Sequence, residues 1–213
     1  MLKLYYAPGT CALATHIALI EAEAEYELAR VGFKDAEQTK PEYLRINPKG
    51  RVPALVTERG VLTETPALLV YVAQKFPAKN LAPAGDPFAF AEVQAFNSYL
   101  CATVHINHAH RMRGYRWVDA EDEHSLEAMR RKVPESVHAA FELIERDFLK
   151  GPYVMGERFT ICDPYLFTLS QWLEGDGVDL AKLPRVVEFR ERMRARPSVQ
   201  RAIEEEMRKP AIV

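Results

Sequence analysis

The sequence changes character once along the chain, near residue 77, and this change restricts the folds that it can adopt. Residues 2–76 alternate between short runs of β-branched and aromatic side chains and segments with apolar residues at helical spacing. They predict the order β-α-β followed by β-β-α. The predicted strands are 2–6, 25–33, 53–57 and 61–63. The β-α-β unit predicts a parallel pair with a right-handed crossover, and Gly60 predicts a hairpin between the last two strands.

After this point the sequence predicts helices only. Prolines and a glycine interrupt regular structure between residues 77 and 87, so we interpret residues 78–87 as a linker. The fold class is therefore predicted as α+β, with a mixed domain in residues 1–77 and an all-α domain in residues 88–213.

Several signals place the helices of the second part. A long apolar face predicts a helix over 88–110, and helical sequence continues to residue 149, where Pro134 should bend or interrupt it. A capping box from Thr160 to Asp163 predicts a helix start. Two more helices are predicted over 184–194 and 197–207.

Composition excludes several classes of protein. The chain has 213 residues, 48% hydrophobic and 27% charged, with a net charge of −2. This balance gives no electrostatic reason to expect nucleic acid or an anionic membrane as a partner. No apolar run approaches the ~20 residues of a membrane span, and we expect no secretory signal. The cysteines Cys11, Cys101 and Cys162 are odd in number and widely spaced, so we expect free thiols and a cytoplasmic protein.

Cys11 lies where the first strand gives way to a helix. Unpaired N–H groups at a helix start carry partial positive charge, so we expect the pKa of this thiol to fall below about 8.5. The motif is Cys-x-x-Ala, ending at Ala14, so no neighbouring cysteine can close an internal disulfide. The alternative is a small buried hydrophobe, which is how most free cysteines behave.

Two further segments suit a peptide ligand with charged ends. Val52-Pro53 precedes the third strand, and a cis bond there would free the backbone of Val52 for pairing with an extended ligand; a trans proline at a strand edge is the alternative. Thr65 is predicted to cap a helix whose first N–H groups suit a carboxylate, while Glu64 suits an ammonium. A simple helix cap is the alternative reading of this pair.

A polar stripe follows one face of the long helix and includes Ser98, Cys101, His105, His108 and Met112. We expect this face to border a cleft. No carboxylate or cysteine pair completes a metal site with these histidines, so no metal is predicted. His108 is expected on a solvated helix end, and the basic runs, such as 111–116, are expected on solvated helix faces.

Four motifs, in order and at matching spacing, resemble those of the glutathione transferase superfamily, and most closely its bacterial beta class. They are Tyr-Ala-Pro-Gly-Thr-Cys at 6–11 with His16 downstream, Asn-Pro-Lys-Gly-Arg-Val-Pro-Ala-Leu at 47–55, Thr-Glu-Thr at 63–65 and Gly-Glu-Arg-Phe-Thr-Ile-Cys-Asp at 156–163. The resemblance covers essentially the whole chain. It implies a thioredoxin-like N-terminal domain and an all-helical C-terminal domain.

The resemblance also implies roles for single residues. Cys11 is implied as the catalytic cysteine, and His105 as a histidine that approaches the same thiol. The implied glutathione-binding residues are Thr10, Phe33, Lys34, Arg51, Val52, Pro53, Glu64, Thr65 and Ser98. Ser98 stands where beta-class proteins frequently carry Asn. An electrophile pocket is expected at Met112, Tyr115, Trp117 and Tyr165.

The function implied is that of a cytoplasmic, homodimeric transferase that adds glutathione, as co-substrate, to a small electrophile in detoxification. Two alternatives stay open at this point. One is glutathione-dependent thiol-disulfide exchange through Cys11. The other is a non-catalytic member of the fold that binds a ligand or a protein.

Overall fold

The computed structural model describes residues 1–208. Its sheet has four strands: β1 (Leu2–Tyr6), β2 (Tyr26–Arg30), β3 (Ala54–Thr57) and β4 (Gly60–Thr63). Their order in the sheet is β2-β1-β3-β4. β1 pairs in parallel with β2, whereas β1 with β3 and β3 with β4 are antiparallel. The predicted parallel pair and hairpin are both confirmed.

Three helices belong to the same part of the chain: α1 (Ala12–Glu21), α2 (Pro41–Leu44) and α3 (Thr65–Lys75). α1 packs against α3. The buried apolar residues of both helices share one core with Leu4 and Leu55 of the sheet, neither of which is exposed. Burying such side chains contributes about 2 kcal/mol each. The shared core thus fixes the start of α1 and the start of α3 relative to each other.

The rest of the described chain is helical. Its helices are α4 (Pro87–Tyr99), α5 (His105–Arg113), α6 (Glu123–Leu143), α7 (Cys162–Ser170), α8 (Pro184–Arg194) and α9 (Pro197–Met207). Two π-helical turns, Leu100–Val104 and Ile144–Phe148, follow α4 and α6. α7 and α9 pack on α1, the helix that Cys11 directly precedes, so α1 joins the sheet-containing part to the helical part. The α+β class is confirmed.

Some expectations need correction. β2 ends at Arg30 rather than residue 33, because its partner β1 ends at Tyr6, which pairs with Arg30. α6 runs through Pro134 without interruption. The segment predicted as one helix over 88–110 is divided by the turn Leu100–Val104. The domain limits 1–77, 78–87 and 88–213 stay predictions, and residues 209–213 lie outside the described residues.

The capping box at the start of α7 is confirmed. One oxygen of Asp163 accepts the N–H of Thr160 at 2.6 Å, and the other accepts the N–H of Val154 at 2.8 Å. Burial raises the pKa of Asp163 to about 7, against these hydrogen bonds, which lower it. The side chain therefore fixes two backbone segments in front of a fully buried helix. Along residues 1–208, no helix has both the length and the apolar composition needed to cross a bilayer.

Candidate functional site

A cavity of about 810 Å³ opens between loops of the sheet-containing part and helix α5. Most of the predicted site residues line it. From the first part these are Thr10, Cys11, Phe33, Arg51, Val52, Pro53, Glu64 and Thr65. From the helical part these are His105, Met112, Tyr115, Trp117 and Tyr165. Residues far apart in sequence therefore meet around one volume large enough for a peptide ligand and a second small molecule.

Cys11 directly precedes the first residue of α1, so the predicted place at a helix start is confirmed. Its Sγ–H points to the carbonyl oxygen of Val52 at 3.6 Å, and only 9% of the residue is exposed. Burial raises the pKa of Cys11 to about 11, because it disfavours the thiolate more than hydrogen bonding with Thr65 favours it. The expected low pKa is therefore wrong, and Cys11 carries its proton at neutral pH.

The Val52-Pro53 peptide bond is cis. Within residues 1–208, the N–H of Val52 donates no hydrogen bond, and its carbonyl oxygen accepts only the thiol of Cys11. The preceding carbonyl of Arg51 is held by Tyr43 Oη at 2.7 Å and by Asn47 Nδ2 at 2.6 Å. The loop is thus fixed from behind, while the backbone of Val52 stays available to a ligand that lies along the cavity.

Glu64 and Thr65 form the junction between β4 and α3. The φ of Glu64 is +72°, which is uncommon for a residue with a side chain and costs of order 1–3 kcal/mol. α3 begins at Thr65 rather than at Pro66, so the predicted cap is displaced by one residue because the chain reverses at Glu64. The Glu64 carboxylate lies 3.1 Å from Lys49 Nζ. The junction offers a carboxylate beside a helix start, as the ligand hypothesis requires.

The helical side of the cavity carries Cys101 and His105. His105 Nδ1 lies 3.5 Å from Tyr165 Oη, and the imidazole ring packs against Trp172 with 5.2 Å between ring centroids. Burial lowers the pKa of His105 to about 4, and the nearby cation of Arg116 also lowers it. His105 is therefore neutral at neutral pH. It supplies a hydrogen-bonding group to the site but no positive charge.

Two predicted residues are not in the cavity lining. Lys34 is exposed on a short 3₁₀ turn, and Ser98 is exposed on α4. Ser98 precedes the π-helical turn Leu100–Val104, which holds one residue more per turn than an α-helix. The extra residue rotates the preceding helix by about 100° relative to His105. Ser98 consequently leaves the stripe that it would share with His105 on a regular helix, and Cys101 takes part in the lining instead.

Trp172 is a cavity residue that sequence reasoning missed. Its Nε1–H donates to the carbonyl oxygen of Gly9 at 3.1 Å, and its ring stacks on His108 with 4.1 Å between centroids. His108 Nδ1 lies 2.7 Å from Asp176 Oδ2, and Arg111 donates to the same buried carboxylate at 3.3 Å. The expected solvated position of His108 is thus wrong. The contacts hold the loop before Cys11 against the helical part.

Gln38 is a second cavity residue that sequence reasoning missed. Gln38 lines the cavity, and its buried Oε1 accepts no hydrogen bond from the residues that the structure describes. Such an acceptor is costly unless a partner binds there. No group of three His, Cys, Asp or Glu side chains in residues 1–208 is arranged to hold a metal ion. No local signal in the sequence distinguished Gln38 or Trp172 from surface residues.

Both parts of the chain match family models of known proteins. Residues 1–74 match the family model described as the glutathione S-transferase N-terminal domain, and residues 100–197 match that of the C-terminal domain. The chain is 31% identical over 208 residues to glutathione S-transferase GstA of Escherichia coli O157:H7. The match covers 96% of this chain and 98% of that protein.

Solved structures of related proteins are similar to this one over nearly the whole chain. A glutathione transferase homologue from Sulfitobacter, crystallised with bound glutathione, is 49% identical with a TM-score of 0.93. The match covers 98% of this chain and 99% of that one. A bacterial beta-class glutathione S-transferase from Sphingomonas chungbukensis is 29% identical with a TM-score of 0.83. There the match covers 96% of this chain and 98% of the other. The chain belongs to the glutathione S-transferase family.

Proposed function

We propose that this protein is a glutathione transferase that joins the thiol of glutathione to a small electrophile. One observation carries the proposal: the Cys11 thiol is buried, which raises its pKa to about 11, and it lines one cavity with Arg51, Val52, Glu64 and Thr65. A thiol donates a hydrogen bond, whereas a thiolate only accepts. Cys11 therefore donates its S–H to the sulfur of glutathione and favours the thiolate of that ligand, which is the nucleophile.

The walls of the cavity match glutathione from end to end. The N–H groups at the start of α3 and the Thr65 hydroxyl bind the γ-glutamyl carboxylate, and Glu64 binds the ammonium. The free N–H and the carbonyl of Val52 pair with the cysteinyl residue, with Pro53 beside them. Arg51 binds the glycyl carboxylate, with Phe33 flanking it. Thr10 supplies a backbone contact close to the sulfur.

Binding geometry, rather than general-base chemistry, is the source of catalysis. His105 is neutral, so it does not stabilise a thiolate by charge, but it borders the cavity opposite Cys11 and orients the reacting groups with Tyr165. Trp172 holds the loop that carries Cys11. Correct placement of the glutathione sulfur against a bound electrophile lowers the entropic part of the barrier.

Thiol-disulfide exchange needs a different state of Cys11. The attacking species in exchange is the thiolate, and burial of Cys11 disfavours it. This argument favours conjugation as the main activity. Exchange remains the activity against which the proposal is tested.

The test compares Cys11→Ser with Cys11→Ala in two assays, conjugation of an aryl halide and reduction of a mixed disulfide with glutathione. Ser keeps a hydrogen-bond donor, so conjugation should persist in Cys11→Ser. In Cys11→Ala, kcat/KM should fall about 5-fold, the loss expected for one hydrogen bond of about 1 kcal/mol. Cys162→Ser is the matched control, because Cys162 lies outside the cavity lining and its Sγ contacts the carbonyl oxygen of Val93 at 3.7 Å, and it should leave conjugation unchanged.

Other outcomes would support the alternatives. Equal losses of conjugation in the Ser and Ala variants, together with an efficient wild-type disulfide reduction that both variants abolish, would make exchange the function. Calorimetric titration with glutathione separates the non-catalytic reading, because a binding protein of that kind would give no heat at millimolar glutathione.

Assembly and cellular role are part of the proposal. We propose a two-fold homodimer, as is usual among members of this family, and a cytoplasmic role in detoxification. The three cysteines are free, which suits a reducing compartment. Light scattering coupled to size-exclusion chromatography measures the oligomeric state, and a mass of one chain would contradict the dimer.

A further inference from the structure

The charges that line the cavity are unbalanced. Four cationic side chains, Lys49, Arg51, Arg113 and Arg116, face a single carboxylate, that of Glu64. Lys49 pairs with Glu64 at 3.1 Å. Across residues 1–208, no carboxylate lies within salt-bridge distance of Arg51, Arg113 or Arg116. Three guanidinium groups therefore share one cavity without a counter-ion from the residues that the structure describes.

The arginines are close enough to repel one another. Burial lowers the pKa of Arg116, and the charges of Arg51 and Arg113 lower it further. Like charges held near each other in a partly desolvated place raise the energy of the empty site. A bound anion would remove this repulsion, and a planar guanidinium is well suited to a carboxylate.

Glutathione does not account for all of these cations. In the proposed binding mode its γ-glutamyl carboxylate lies at the start of α3, and its glycyl carboxylate uses Arg51. Its ammonium group takes the carboxylate of Glu64. Arg113 and Arg116 are left without a partner, so they are available to the second substrate.

The position of Arg113 and Arg116 supports this assignment. Arg113 ends α5, and Arg116 ends the 3₁₀ turn Gly114–Arg116 that follows. The same segment carries Met112, Tyr115 and Trp117, which line the cavity and are 65%, 51% and 43% exposed. One segment thus combines two unpaired cations with large apolar side chains. This combination fits a ligand that has both an apolar body and a negative charge.

We propose that the electrophile of this enzyme is an anion, an aromatic or other apolar body with a carboxylate that Arg113 and Arg116 bind. This inference rests on the proposed transferase function and names its substrate class. For an aryl chloride the step is a substitution. The glutathione sulfur forms a bond to the ring carbon, the carbon–chlorine bond breaks, chloride leaves with its electron pair, and the thiol proton passes to solvent.

The test uses a matched pair of electrophiles, 4-chloro-3,5-dinitrobenzoate and its neutral primary amide. For each, kcat/KM is divided by the rate constant of the uncatalysed reaction with glutathione, so that intrinsic reactivity cancels. The wild-type ratio of acid to amide should exceed about 10, the preference expected for one charge-assisted hydrogen-bonded pair. In the double variant Arg113→Gln/Arg116→Gln the ratio should fall about 10-fold.

A charge-matched control removes long-range effects. The double variant Arg130→Gln/Arg146→Gln also loses two arginines. Both are exposed, Arg130 is paired with Glu123 at 2.6 Å and Arg146 with Asp147 at 2.7 Å, and the variant should leave the ratio at its wild-type value. The wild-type enzyme supplies a measurement that needs no variant. Salt should raise the KM of the acid and leave that of the amide unchanged, because screening weakens the attraction of an exposed charge pair.

The results separate this inference from the proposed function. Turnover of the amide with a wild-type acid-to-amide ratio of one or less would overturn the anionic substrate and leave the transferase intact. An unchanged ratio in the double variant would overturn the role of Arg113 and Arg116. If neither compound reacts faster than without enzyme, the transferase function itself fails, and the inference fails with it.

Discussion

Replacing His16 with Gln should destabilise the folded protein by about 3 kcal/mol, because the change leaves a buried carboxylate without its partner. His16 lies on α1 and has no exposed surface. Its Nδ1 lies 3.3 Å from Glu206 Oε1, and its Nε2 lies 3.1 Å from Glu205 Oε2 and 3.0 Å from Tyr26 Oη. Both carboxylates belong to α9, so one imidazole joins α1 to α9.

The two carboxylates lose different amounts when His16 is removed. Glu205 keeps hydrogen bonds from Tyr26 at 3.0 Å and from Arg201 at 2.7 Å. Glu206 is only 2% exposed, and burial raises its pKa although the hydrogen bond with His16 lowers it. Removing one partner of a buried pair costs about 3–5 kcal/mol. We take the lower end of this range because only Glu206 loses its partner, and protonation of its carboxylate reduces the cost.

Urea unfolding followed by circular dichroism measures the effect. A loss of about 3 kcal/mol corresponds to a fall in Tm of roughly 6–12 °C for a chain of this length. His124→Gln is the matched control, because His124 is exposed on α6 and the same substitution there should stay within about 0.5 kcal/mol.

A double-mutant cycle with Glu206→Gln isolates the pair. If the stranded charge causes the loss, the double variant should recover at least about 1 kcal/mol relative to the sum of the single changes. Additive effects, or a His16→Gln variant as stable as the wild type, would refute the account of α9 as a helix anchored to α1 by the contact between His16 and Glu206.

Three further predictions concern the cavity. The alkylation rate of Cys11 by iodoacetamide, followed by peptide mapping, should rise about tenfold per pH unit to beyond pH 9, because its pKa is about 11; a plateau below about pH 8 would contradict this. His105→Gln should flatten the pH dependence of urea stability between about pH 6.5 and 4. In the wild type the folded protein keeps His105 neutral down to about 4 while the unfolded chain binds a proton below about 6.5, so stability falls as pH falls through this window. Equal slopes in both proteins would count against it. Trp172→Phe keeps an aromatic ring beside His108 but loses the hydrogen bond to Gly9, and kcat/KM should fall about 2- to 5-fold; activity equal to the wild type would exclude a positioning role.

The elements that could be predicted from sequence are those with local signals. α8 and α9 begin at Pro184 and Pro197, where a proline at the first helical position loses no needed hydrogen bond. The hairpin turns before Gly60, whose φ is +135°. The excess length predicted for β2 shows the limit of such signals, since the strand stops where β1 offers no further partner. Strand length is set by pairing, which no single segment contains.

The cavity residues also fall into two groups, those with a local signal in the sequence and those placed by contacts between distant segments. Those carried by motifs, such as Glu64 and Thr65, line the cavity, and their binding of glutathione stays a prediction. Trp172 and Gly9 are in contact although they are 163 residues apart in sequence, and His108 and Asp176 are 68 residues apart. No local sequence pattern predicts either contact. The predicted position of Ser98 on the same helix face as His105 is wrong for a different reason. The π-helical turn that rotates α4 leaves no recognisable mark in the sequence Leu100–Val104.

The protonation of Cys11 depends on two effects that oppose each other at one place. Its position at the start of α1 is visible in the sequence, and the helix dipole favours a thiolate by about 1 kcal/mol or less. Its burial depends on Val52, Thr65 and the helical part, which come from distant segments. Desolvation of a fully buried group shifts the pKa by up to about 3–5 units, which exceeds the dipole effect severalfold. The distant term therefore decides the sign of the shift, and with it whether this cysteine donates a hydrogen bond to the sulfur of glutathione or attacks a disulfide.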